Sequence, residues 1–238
     1  MGHREQAEIV ELAVELGVVV TEREAEMLLA HLGKVLEANQ YLNLTAITDR
    51  ESAIRLHVVD SLALVPYVRS AEGRVVDIGS GAGYPGVPIS IITAGAVDMI
   101  ESVKKKALFL AECIQALGGL SGSQVLPVRA EEVAETRSGH YNVVTARALS
   151  SLPSLVELAS PLLGDGGQLL AMKGSPETQE LDSGRRAALI VGLEETERVE
   201  YVLPKSRESR TVVRYTKVGE PTIELPRRIG LAQKRPLG

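Results

Sequence analysis

Residues 75–86 read VVDIGSGAGYPG, an apolar strand-forming run carrying Asp77 that leads straight into Gly79, Gly81, Gly83 and Gly86. A strand that meets such a loop has to turn back into a helix. Glycine permits the positive φ this turn needs and lets the backbone pass close beneath a ligand with no Cβ in the way. The segment therefore predicts a strand, a nucleotide-cofactor loop and a helix from about Tyr84.

The rest of the chain continues the pattern. After VVDI, apolar runs recur as VDMIES, QVLPVR, YNVVTA and GQLLAMKG. Between them lie helical segments at 104–117, a shorter one after QVLPVR, and 153–163. Apolar strands with little polar alternation, separated by helices, indicate a mostly parallel sheet covered on both faces. Two later runs, 197–203 and 210–217, have no long helix between them and predict a terminal antiparallel hairpin. Residues 1–70 carry helical stripes instead, Ile9, Leu12, Ala13 and Leu16, then Ala25, Leu28, Leu29, Leu32, Val35 and Leu36. Thr21 and Glu24 form a capping box, and a third helical segment covers about 52–68 before a turn at Gly73. The expected organisation is an N-terminal helical cap, 1–70, and an α/β core with helices on both faces, 71–238. At 45% apolar content the 238 residues can bury one sizeable core.

Composition narrows the function. The single cysteine, Cys113, allows no internal disulfide, and the four histidines show no paired metal-ligand spacing, so no metal is expected. MGHREQAEIVELAVE lacks the basic start and apolar run of a signal peptide. The most apolar stretch, 87–100, is too short to span a bilayer and contains Pro88, Gly95 and Asp98. A cytoplasmic protein with no membrane segment is expected. The net charge of -5 is unevenly placed: residues 201–238 hold nine Lys or Arg against three Glu, leaving -11 for residues 1–200. Such a basic strip suits either a polyanion or a solvated tail.

A literal G-x-G-x-x-G occurs at Gly81, Gly83 and Gly86, which taken alone suggests a dinucleotide. The first glycine after the strand is Gly79, however, and Tyr84 stands where the dinucleotide register wants its third. This D-x-G-x-G-x-G spacing favours S-adenosylmethionine, with Asp77 reaching the cofactor ammonium directly or through water. Glu101, at the end of the second strand, is placed to accept the ribose hydroxyls. Ala130 and Glu131, after the third strand, are the expected adenine neighbours, although Glu131 and Glu132 equally suit the positive end of a helix dipole. Arg147 ends the fourth strand, where a substrate would meet the methyl group; a surface ion pair is the alternative. Lys104, Lys105 and Lys106 read as a solvated helix face, with RNA contact open for the first two.

Taken in order, NLTAI at 43–47, RLHVVDSL at 55–62, DIGSGAGYPGVP at 77–88, ESVKKKxxFL at 101–110, RAEE at 129–132, VVTARAL at 143–149 and MKG at 172–174 resemble the RsmG, or glucose-inhibited division protein B, family of ribosomal RNA guanine-N7 methyltransferases. The match is nearly full length. It implies a class I methyltransferase fold (Rossmann-like), S-adenosylmethionine as donor, and a guanine of small-subunit (16S) ribosomal RNA, naked or in a 30S particle, as acceptor. The family's cofactor contacts fall on Gly79, Tyr84, Ala130, Glu131 and Arg147. This chain has Tyr84 where the family usually has Phe, which keeps a ring to pack on the cofactor. It has Asn142 where the family usually has Asp, a change expected to cost a structural or capping interaction. His57, Asp60 and Ser61 match a motif of the cap, as substrate-side residues or as buried hydrogen-bonding groups.

Guanine N7 holds an in-plane lone pair and attacks a methyl group without first losing a proton, so no general base is expected and Arg147 is assigned a positioning role. The Asp/Asn-Pro-Pro-aromatic turn of amino methylation is absent, and Cys113, inside a helical pattern, reads as core rather than as a C5 nucleophile. A nicotinamide-dependent oxidoreductase, a small-molecule methyltransferase and a non-catalytic ribosome-assembly factor are the competing readings. An RNA-facing surface would combine the C-terminal cations with Lys104, Lys105, Arg147 and Lys173. A monomer is the default expectation.

Overall fold

Four helical segments precede the first strand in the computed structural model, which describes residues 2–238. They are α1 (Gly2–Glu15), α2 (Glu22–Leu42), a continuous run made of α3 (Arg50–Ala53), a π-turn (Ile54–Val59) and α4 (Asp60–Leu62), and α5 (Val65–Ser70). Then come β1 (Val75–Ile78), α6 (Gly86–Thr93), β2 (Val97–Ile100), α7 (Lys104–Ala116), β3 (Gln124–Leu126), α8 (Ala130–Thr136) and β4 (Tyr141–Arg147). The chain closes with α9 (Leu152–Ala159), β5 (Leu163–Lys173), α10 (Thr178–Ile190), β6 (Leu193–Val202), β7 (Ser209–Lys217) and the short α11 (Leu231–Lys234). The sheet is mixed and has seven strands. By internal contacts the chain divides into two compact units.

The first unit contains the residues up to Ala71, Ser80–Pro127 and Leu203–Arg207. The N-terminal helices therefore share a unit with the segment from the glycine loop to β3, and the unit continues past residue 70. α1 and α2 pack together through the stripes read from the sequence: Ile9, Leu12, Ala13, Leu28, Leu32 and Val35 are fully buried. Thr21 caps α2 as expected, its hydroxyl accepting the Glu24 N–H at 3.2 Å while the Glu24 carboxylate accepts the Thr21 N–H at 2.7 Å. β2 and β3 run parallel, Met99 opposite Val125.

The second unit contains Glu72–Gly79, Val128–Val202 and Glu208–Gly238. β1 pairs with β4 and β4 with β5, all parallel, and β7 then joins β5 antiparallel and carries β6 outward. The terminal hairpin is thus present, but β6 starts at Leu193 and a 13-residue helix, α10, precedes it. The single helical segment predicted over about 52–68 is interrupted by the π-turn at 54–59. Among the described residues no helix is long and apolar enough to cross a membrane.

Candidate functional site: the glycine loop and the strand ends

Strand β1 is buried along its whole length and releases the chain into Gly79, Gly81 and Gly83, whose φ angles are +71°, +56° and +94°. In the first unit, the loop is held by main-chain and carboxylate bonds. Ser80 N–H donates to the Ile100 carbonyl at 3.1 Å, and Gly83 N–H to the Ser80 carbonyl at 2.7 Å. The Gly81 N–H donates to Glu101 Oε2 at 3.0 Å. Glu101 Oε1 accepts the Val103 N–H at 2.7 Å, so each carboxylate oxygen takes one amide and keeps further acceptor capacity. The structure thus brings Gly81 and Glu101 together, as their spacing suggested.

Tyr84 behaves differently. Its ring is only 4% exposed and lies against two histidine rings, His57 stacked at 5.0 Å and His31 tilted at 4.8 Å. The ring expected to cover a cofactor packs here on the two histidines. His31 was not read from the sequence as part of the site. It stands on the apolar stripe of α2, a polar residue among Leu28, Leu32 and Val35, and its Nε2 lies 2.9 Å from the Ala82 carbonyl. A carbonyl only accepts, so Nε2 carries the hydrogen, and Nδ1 is buried with no partner among the described residues. Burial lowers the His31 pKa to about 4, and the ring is neutral. A Cβ on Gly83 would come within 3.0 Å of this Nε2 and 2.8 Å of Leu110 and Val87, which makes glycine obligatory there.

His57 is held in place by the NLTAI segment. Asn39 Oδ1 accepts the Leu44 and Thr45 amides at 2.7 and 2.9 Å, and the turn so formed sets Thr45 Oγ1 at 2.7 Å from His57 Nε2. Ser61 Oγ donates to the His57 carbonyl at 2.6 Å. Asp60 and Ser61 are buried. The motif is a packed hydrogen-bonding unit supporting Tyr84.

In the second unit, Asp77 is fully buried and accepts the Thr145 hydroxyl at 2.9 Å, from the residue directly opposite it on β4. The sequence assigns it a contact with the cofactor ammonium, direct or through water; in this structure the carboxylate has no exposed surface and ties β1 to β4. Thr145 is the other residue that sequence reading passed over, visible only as a lone hydroxyl in an apolar strand. Gly79 is required by its neighbour as well as by its φ, since a Cβ would lie 2.5 Å from Leu149 Cδ1. Arg147 ends β4 opposite Met172 and is half-buried, and Ala148 after it takes φ +53°, a left-handed turn that is unfavourable for a residue with a Cβ. Asn142 Oδ1 accepts the Arg74 N–H at 3.0 Å and fixes the entry to β1.

Ala130 and Glu131 open α8, both buried. The Glu131 carboxylate accepts the Gly230 N–H at 2.7 Å, and Glu132 accepts the Arg129 N–H at 2.8 Å. What this segment can offer a ligand is therefore main chain. Lys173, expected on an RNA face, pairs with Glu180 at 2.7 Å and donates to the Ser150 carbonyl. Much of the C-terminal strip is likewise engaged, with Lys205 on Glu11, Arg210 on Glu208, Arg214 on Glu197, and Lys217 on the Ser160 and Leu163 carbonyls. Cys113 is buried, and burial pushes its thiol up to about 11, which fits a core residue. Among the described residues no three metal-binding side chains converge.

The family model described as rRNA small subunit methyltransferase G matches residues 24–210. A ribosomal RNA small subunit methyltransferase G of Pelotomaculum thermopropionicum is 38% identical over 96% of this chain and 97% of its own, and that of Chloroflexus aggregans is 38% identical over the same shares. Among solved structures, a Corynebacterium glutamicum protein superposes with a TM-score of 0.53 at 20% identity, covering 80% of this chain and 91% of that one. The fold is a Rossmann-like α/β fold. The chain belongs to the rRNA small subunit methyltransferase G family.

Proposed function

We propose that this protein transfers a methyl group from S-adenosylmethionine to N7 of a guanine in small-subunit ribosomal RNA. The observation that carries the donor reading is Glu101: its carboxylate is fixed by the Gly81 and Val103 amides at the end of β2, beside a loop of three left-handed glycines. That arrangement fits a nucleoside whose ribose hydroxyls donate to the remaining lone pairs of Glu101. The main chain of Gly79 and Gly81 would pass beneath the amino-acid portion, and that of Ala130 and Glu131 would meet the adenine. When bound, the donor supplies an electrophilic methyl group on a sulfonium.

Guanine N7 has its own lone pair, so this chain needs no residue to remove a proton. Its contribution is alignment of N7 with the methyl carbon and sulfur, an effect that reaches about 7 to 11 kcal/mol in well-oriented systems. Arg147, at the carboxyl end of β4 before the strained turn at Ala148, is the positioning residue for the guanine carbonyl or an adjoining phosphate. A preorganised charge of this kind contributes roughly 100- to 1,000-fold in rate.

The test is transfer of labelled methyl from S-adenosylmethionine to small-subunit particles and RNA from cells lacking this protein, with the nucleoside identified by mass spectrometry. The expected product is 7-methylguanosine, and Arg147→Ala is expected to lower kcat/KM by about 100-fold or more. Donor binding without label in any RNA would instead indicate a small-molecule acceptor.

A further inference from the structure

The last twenty residues do not trail from the sheet. Arg227 forms a bidentate ion pair with Glu157 of α9, at 2.6 and 2.5 Å, and Glu157 is only 3% exposed. The same guanidinium donates to the Arg235 carbonyl at 2.8 Å, which closes residues 227–235 into a loop. Inside the loop, Leu231 N–H bonds the Arg228 carbonyl and Lys234 N–H the Gly230 carbonyl. Gly230, at φ +77°, gives its amide to the buried carboxylate of Glu131. Ala232 is buried beneath, and Arg186 holds the carbonyl oxygen of Gly238.

Two buried carboxylates on two different helices thus fix a segment that has almost no core of its own. What the loop turns outward is charge. Arg228, Lys234 and Arg235 are exposed, and none has a carboxylate partner among the described residues. They differ in this from Lys205, Arg210, Arg214 and Arg227, which are paired internally. A solvated tail would leave its backbone free, whereas here the backbone is ordered in advance, which lowers the entropy lost when a ligand is bound.

We propose that residues 227–235 form a preorganised phosphate-binding loop for the sugar-phosphate backbone of the RNA substrate, with Arg228, Lys234 and Arg235 as its contacts. This rests on the RNA reading above and adds to it the place where the RNA is held. The charge of the loop matches a polyanion, and the lysine and arginines supply donors suited to phosphate oxygens. The rest of the protein is acidic, so affinity for RNA has to come from such local concentrations of positive charge.

The experiment compares the full chain with its R228Q/K234Q/R235Q variant, measuring binding to a small-subunit ribosomal RNA fragment and methyl transfer between 50 and 200 mM salt. Each phosphate contact contributes about 0.7 to 0.9 to the slope of log K against log salt, so the slope of the variant should fall by about 2 to 3. KM for RNA should rise at least about tenfold, with kcat at saturation and donor affinity unchanged. Unchanged donor affinity also reports an intact fold, and R228Q alone should lower the slope by about one. A normal RNA affinity and slope in the triple variant, beside a wild type that methylates RNA, would overturn the loop assignment alone. A wild type that neither binds nor methylates RNA would overturn the RNA reading and the loop with it.

Discussion

His31 is a fully buried base whose hydrogen bond to the Ala82 carbonyl uses Nε2–H, so protonating Nδ1 would place a buried charge beside the Tyr84 ring with no partner among the described residues. Its folded pKa of about 4 lies below the ordinary histidine value, so the unfolded chain binds the proton more readily. Stability contributed by the neutral ring is therefore complete above about pH 6.5 and is lost as the pH falls toward about 4, to a total of about 3 kcal/mol. Denaturant unfolding at about pH 7 and pH 4.5 measures this. His31→Leu should be less stable than the parent at the higher pH, because the Ala82 carbonyl loses its donor, yet should lose less on acidification. A variant with the parent's full acid dependence would show that other groups cause it.

The elements that could be read from the sequence are those whose pattern comes from large apolar residues. The stripe of α2, the runs of β1 and β4, and the start of α7 at Lys104 all lie where periodicity put them. Helix α10 was illegible for a physical reason. Its buried face is Leu181, Gly184, Ala187 and Ala188, one large apolar residue among three small ones, which gives almost no apolar stripe; at Gly184 a Cβ would come 2.8 Å from the Tyr215 hydroxyl and 2.9 Å from Leu152. β6 was clipped because LEETE at its start, on an outer strand, offers hardly any apolar alternation. Among the candidate site residues, Glu101 and the glycines stand out by spacing, whereas the hydrogen-bond and ring partners of Asp77, Tyr84 and Glu131 lie far along the chain, where no local pattern encodes them. The terminal loop is of the same kind. Its attachment to α9 depends on Glu157, and removing one member of a buried ion pair typically costs about 3 to 5 kcal/mol. Glu157→Gln should therefore destabilise by about 3 kcal/mol and free residues 227–235 for proteolysis, read from denaturant midpoints and limited trypsin digestion. A loss below about 1 kcal/mol with an unchanged digestion pattern would show that the pair does not fasten the loop.

At the scale of the whole molecule, stability and donor binding are linked, and the two are told apart by comparing substitutions inside and outside the glycine loop. A donor that binds only the folded chain at 100 times its Kd adds about 2.7 kcal/mol to stability. For a protein of this length 1 kcal/mol moves Tm by roughly 2 to 4 °C, so saturating S-adenosylmethionine should raise Tm by roughly 5 to 11 °C. Gly79→Ala alters both quantities. The left-handed backbone costs about 1 to 2 kcal/mol with any Cβ, and the methyl group must also displace Leu149 from a 2.5 Å contact. Against a typical total of about 5 to 15 kcal/mol the chain should still fold, with Tm lowered by several degrees in the absence of donor. Because the same loop would carry the donor, the donor-dependent rise should shrink as well. R228Q/K234Q/R235Q provides the opposite case, since the phosphate-binding loop has no part in holding the donor: its donor-dependent rise should equal that of the parent. Thermal melts of the three chains with and without donor decide between these cases. A full rise in Gly79→Ala would mean that this glycine serves the packing of Leu149 and not the cofactor, leaving Glu101 and the loop from Ser80 onward to account for the binding.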